Sequence, residues 1–170
     1  KYLMQANEIT DRRSVATKQG MVTRRIYQKE SQLIEKIWSI YRPRSLGTLR
    51  AALDLLWDYY QPRVGSQRRR PELRFGPGVQ YHGRALSYTQ DQRPGQIIEL
   101  APGERNFGVL IHELAHALGA VEHGVRFAQI YHDLLKHRTF REMMSTPEGL
   151  RFLEYLKLEH PRFVRRAYRG

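Results

Sequence analysis

Between residues 24 and 41, Ile26, Tyr27, Leu33, Ile34, Ile37, Trp38 and Tyr41 recur at three- and four-residue steps, which places them along one stripe of a helix. Pro43 ends that helix. Ser45 is a suitable N-cap for a second one, in which Leu46, Leu49, Leu53, Leu56, Trp57 and Tyr60 repeat the spacing as far as Pro62. Residues 8–20 have too few apolar positions to define a buried face and read as an arm or a short solvated helix. Strand-like runs follow at 73–75, 84–89 and 96–100, divided by Gly76-Pro77-Gly78 and Arg93-Pro94-Gly95 turns, and predict a small antiparallel or mixed sheet. Helical spacing returns at about 104–118, 124–136 and 147–158. The pattern predicts an α+β fold with a three-stranded sheet. Residues 1–43 form an N-terminal arm and helix and residues 44–170 the main domain of one compact unit.

Composition narrows the chemistry. A chain of 170 residues, 41% of them hydrophobic, is large enough for one core. With no cysteine there is no disulfide, no thiolate nucleophile and no Cys-ligated zinc ribbon, so any metal rests on His and carboxylate ligands. No apolar run approaches the roughly 18–20 residues of a membrane span, and the first twenty residues lack the apolar centre of a signal peptide. The expected location is therefore cytoplasmic. The sequence starts at Lys1 rather than Met, which leaves room for a segment upstream.

Within the apolar run around 109–118 stands His112-Glu113-Leu114-Ala115-His116, an H-E-x-x-H sequence. Residues four apart on a helix differ by about 40° around the axis and about 6 Å along it, so both imidazoles face one space and can share a cation. Glu113, about 100° further round, is suited to deprotonate the water that such an ion activates. Composition predicts about 0.02 chance matches to this pattern in a chain with 7 His, so coincidence explains it poorly.

Zinc is the ion such ligands ordinarily hold, and a catalytic zinc site has three protein ligands. On a straight helix His123 would lie about 10 Å along the axis from His116, so the chain must turn, and Gly119 is where it can. Either Glu122 or His123 then reaches back; the adjacent Gly124 favours His123, with Glu122 as the alternative.

The stretch 98–131 carries Ile-x-Leu, then Val-Leu-Ile-His-Glu-Leu-Ala-His-Ala-Leu, then His-Gly-x-x-Phe-x-x-x-Tyr. It resembles the SprT-like zincins, and more closely a group of small H-E-x-x-H metallohydrolases of actinobacteria and their phages. The resemblance implies zinc ligation by His112, His116 and His123, with Glu113 as the catalytic glutamate. Phe127 and Tyr131 match the same motif and are expected to pack the following helix onto the metal helix. The interval between His116 and His123 is shorter than is usual in SprT-like proteins, and no cysteine ribbon follows.

These residues predict a zinc-dependent metallopeptidase, or more broadly a metallohydrolase, acting on a protein or peptide substrate, with the strand at 96–100 as an edge on which that substrate could lie. Charge adds a second expectation. The net charge is +12, with 23 Arg against 6 Lys, and Arg63, Arg68, Arg69, Arg70 and Arg74 crowd one loop-like segment. That balance suits nucleic acid or another polyanion, and it supports an alternative reading in which a noncatalytic zinc protein docks on nucleic acid or a virion assembly.

Overall fold

A computed structural model describes residues 5–7, 18–64, 69–77, 83–90, 93–119 and 123–167, with side chains for 24–63, 69–77, 96–119 and 123–157. In chain order the elements are β1 (Gln5–Asn7), α1 (Lys18–Gln32), a 3-10 turn (Ile34–Lys36), α2 (Trp38–Tyr41), α3 (Leu46–Val64), β2 (Glu72–Phe75), β3 (Gly83–Gln90), β4 (Arg93–Leu100), α4 (Phe107–Ala117), α5 (Val125–Leu135), a second 3-10 turn (Arg138–Phe140), α6 (Arg141–Met144) and α7 (Pro147–Ala167). The architecture is mixed α and β and rich in helix.

The sheet has four strands rather than the three expected, in the order β1-β3-β4-β2. The added strand, Gln-Ala-Asn at Gln5–Asn7, is too short to show alternation in sequence and is defined only by its antiparallel pairing with Ala85–Ser87. β3 and β4 form an antiparallel hairpin, and β2 runs parallel to β4 from Glu72 opposite Ile97 to Phe75 opposite Leu100. This corrects the expectation that residues 96–100 offer an edge: β4 is an inner strand, paired along both sides.

The stripe at 24–41 is not one helix. The backbone leaves helical geometry at Leu33 (φ −121°, ψ −62°) and Ile37 (φ −85°, ψ 89°), giving α1, a 3-10 turn and α2. Ile34, Ile37 and Ile40 are three residues apart, a spacing that drifts around a 3.6-residue helix; the breaks bring all three inside, with no more than 4% of any exposed. Trp38, expected on the buried stripe, is 68% exposed as a result. The helix expected to stop at Pro62 runs on to Val64, with the proline inside its last turn at the loss of one i→i−4 bond. Its start is as expected, with Ser45 Oγ accepting from the Thr48 backbone N–H at 3.2 Å. The final helix continues past the expected end at 158 to Ala167.

α4 is the centre of the molecule. Ten of its eleven residues are buried: it rests on β3 and β4, with α5 packed beside it and α7 packed on α5. Gly108 lets α2 approach, since a Cβ there would meet the Tyr41 ring at 2.5 Å. One buried cluster joins Ile26, Ile34, Ile37 and Ile40 to the α3, α4, α5 and α7 side chains, so the segment read as an N-terminal arm and helix contributes to the common core.

Candidate metal centre

Asn106 begins α4 by accepting the Val109 backbone N–H on Oδ1 at 3.0 Å, which fixes the helical register of everything after it. His112 and His116 then fall on one side of the helix. At its end Gly119 adopts φ +130°, a conformation open to glycine and rarely to other residues, and its N–H bonds the His116 carbonyl at 3.1 Å. His123 stands just ahead of α5. Gly119 acts as expected, and Gly124, the N-cap of α5, is extended with φ −89°.

The three imidazoles meet. His123 Nε2 lies 3.0 Å from His112 Nε2 and 3.1 Å from His116 Nε2, and one nitrogen from each residue falls inside a 4.8 Å span. Each histidine is buried, with 4–6% of its surface exposed. Zinc–imidazole bonds of about 2.0–2.1 Å in a tetrahedron separate ligand nitrogens by roughly 3.3 Å, close to what is found here before any cation draws on them. Three ring nitrogens directed at one point in an apolar interior are hard to satisfy with one another and well satisfied by a cation. The residues present therefore fit a metal ion.

The walls of the centre come from three helices. Phe127 of α5, fully buried, stands 4.7–4.9 Å by ring centroid from all three imidazoles, and Tyr131 stacks on it at 5.2 Å. The two aromatics pack α5 against α4 as expected, and Phe127 also lines the centre. α1 supplies two residues that sequence reasoning missed. Tyr27 stacks on His112 with an interplanar angle of 16° and leans on His123 at 5.2 Å. One turn further on, Glu30 Oε1 lies 2.6 Å from His112 Nδ1, with Glu30 only 6% exposed. A signal was available: Glu30 is four residues after Ile26 and four before Ile34, a carboxylate in the middle of a buried stripe.

Electrostatics distinguish the rings. Burial by itself would lower the His112 pKa, but the Glu30 carboxylate, through its charge and hydrogen bond, and then Glu113 raise it above the usual histidine value. His123 is pushed far below that value by burial and then by the neighbouring His112 and His116. A carboxylate oxygen accepts, so His112 donates to Glu30 from Nδ1 and turns Nε2 toward the other two rings. Glu113, 2% exposed, follows His112 on α4 and acts on it electrostatically. Glu122, the alternative third ligand, lies outside the described residues.

Among the residues with described side chains, the other histidines, His132 and His137, take separate places. His132 is 3.6 Å from Asp133, and His137 starts the second 3-10 turn by accepting the Thr139 N–H at 3.2 Å. The arginines of the 63–74 segment are largely turned inward on their own chain. Arg63 bonds the Tyr59 carbonyl and covers that ring at 3.6 Å; Arg70 pairs with Asp58 and, at 3.4 Å, with Asp54; Arg74 meets the buried Glu99 at 3.2 Å. Arg69 is exposed, and Arg68 lies outside the described residues. Phe75 carries Arg105 over its face at 4.1 Å. Among the described residues no helix is long and apolar enough to cross a membrane. Comparisons of the chain with protein-family models, with curated proteins and with solved structures find no match.

Proposed function

We propose that the chain is a zinc-dependent metallopeptidase of zincin-like build, in which His112, His116 and His123 hold the ion and Glu113 is the general base. The observation that carries this reading is the meeting of the three Nε2 atoms, two from an H-E-x-x-H helix and one from just ahead of α5. When bound, zinc would polarise the scissile carbonyl and bring the pKa of a water toward about 7. The Glu113 carboxylate takes a proton from that water and passes it to the departing amine nitrogen. His123 stays neutral through its burial and so has a lone pair to offer. The resemblance to SprT-like zincins supports the same roles. Because β4 is paired on both sides, an extended substrate would have to add to another strand of the sheet.

A second reading is favoured by the depth of the centre, where each ligand and Glu113 is at most 6% exposed. In it the zinc is structural, and the protein docks on nucleic acid or a virion assembly through arginines such as Arg69. Glu113→Gln separates the two. The peptidase reading expects one zinc per chain, an unchanged fold and a loss of about 10²–10⁴ in the rate of peptide hydrolysis. Zinc content measured by atomic absorption, beside cleavage of a quenched-fluorescent peptide library, decides it: hydrolysis that survives the substitution, or is absent from zinc-loaded wild type, removes Glu113 from the chemistry.

A further inference from the structure

The H-E-x-x-H segment does not complete its own centre. Glu30, 82 residues upstream on α1, presents Oε1 to His112 Nδ1 at 2.6 Å, a short separation typical of a charge-assisted hydrogen bond. The carboxylate is buried, which is unfavourable unless a cationic or strongly donating group meets it. The contact is made by the nitrogen on the far side of the ring from the cluster, so Glu30 lies behind His112 and outside the group of atoms that would touch a metal. The same helix lays Tyr27 flat on the His112 ring at 5.7 Å, while Phe127 bounds it at 4.9 Å. The ring is thus gripped on its faces and fixed in rotation by one in-plane bond.

We infer that Glu30 is a positioning residue for the metal: by accepting the Nδ1–H of His112 it selects the tautomer whose Nε2 lone pair points at the centre, and its negative charge makes that nitrogen a stronger donor. α1 thereby becomes part of the metal centre. This inference rests on the proposed metal site and extends it to a residue far outside the motif.

The test is zinc affinity of the full chain, measured by competition with a chromophoric chelator, for wild type, Glu30→Ala and Glu30→Gln. Loss of an outer carboxylate partner typically weakens metal binding about 10- to 100-fold, which is expected for Glu30→Ala. Glu30→Gln keeps a carbonyl acceptor and loses the charge, so its affinity should fall between the other two. A second readout is the long-range ¹H–¹⁵N spectrum of the zinc-loaded protein, in which the Nδ1–H of His112 should be protected from exchange in wild type and lose that protection in Glu30→Ala. Equal affinity in wild type and Glu30→Ala overturns the inference and leaves the centre standing. Failure of wild type to bind zinc removes the centre and the inference together. Should Glu30→Ala not fold, Glu30→Gln decides, a several-fold weaker affinity supporting the positioning role and an unchanged one overturning it.

Discussion

At the histidine centre, three imidazoles with 4–6% of their surface exposed turn nitrogens toward one another, whereas along residues 63–74 Arg63, Arg70 and Arg74 lie near the surface and turn to acids and carbonyls of their own chain. Both regions stand out in the sequence, one by motif and the other by charge. Their environments differ in what they leave unsatisfied. Near the surface, water and a nearby carboxylate quench a guanidinium at little free-energy gain or loss. Inside, solvent screens little, and converging ring nitrogens need a proton or a cation. Concentrated charge in a sequence is therefore weaker evidence of a partner than polar groups that the fold brings together out of solvent.

The sharpest way to break this comparison is to remove one converging ring. His123→Ala should abolish stoichiometric zinc binding under dialysis while the chain stays folded by circular dichroism; retention of one zinc per chain would transfer the third-ligand role elsewhere, with Glu122 the first residue to substitute next. Phe127→Ala empties the wall shared by all three imidazoles. Because Phe127 is fully buried, chemical denaturation should register a loss of about 3–5 kcal/mol, and an effect under about 1 kcal/mol would show that the wall is not packed as described.

The proton held by His112 gives a pH test. Its folded-state pKa is raised from 6.5, so below its folded value the metal-free ring carries a second proton that zinc must displace, while the pKa of His123 is lowered. Zinc affinity should accordingly rise with pH and level off only above 6.5; affinity that stops rising below 6.5 would contradict the raised His112 value. Metal-free stability carries the two signs separately. The raised His112 contributes stability that is complete below 6.5 and lost as pH rises through its folded value; the lowered His123 withdraws stability as pH falls below 6.5.

The smallest effect belongs to the arginine segment. Arg70 has 44% of its side chain exposed in its pairs with Asp54 and Asp58, so Arg70→Ala should change stability by about 0–1 kcal/mol after screening by solvent. If the segment also docks on nucleic acid, the same substitution should flatten the salt dependence of binding to a random duplex by roughly one unit of slope; a slope that does not change assigns Arg70 to the fold alone.

Sequence periodicity placed α3, α4, α5, the β2–β4 strands and the Ser45 cap, because each depends on side chains within a few positions of one another, but it read Arg93-Pro94-Gly95 as a turn where these residues pair with Gln90, Thr89 and Tyr88 as strand. It also marked His112 and His116, since helix geometry alone brings residues four apart onto one face. Long-range packing decided the rest. The stripe at 24–41 breaks so that Ile34, Ile37 and Ile40 can all be buried, and that break leaves Trp38 outside. His123 joins the centre from beyond the helix end at Gly119, while Glu30 and Tyr27 join it because α1 docks against α4 and α5. Periodicity records which face of an element seeks burial; what that face meets depends on how distant segments fill space and satisfy each other's polar atoms, and those terms belong to the assembled chain.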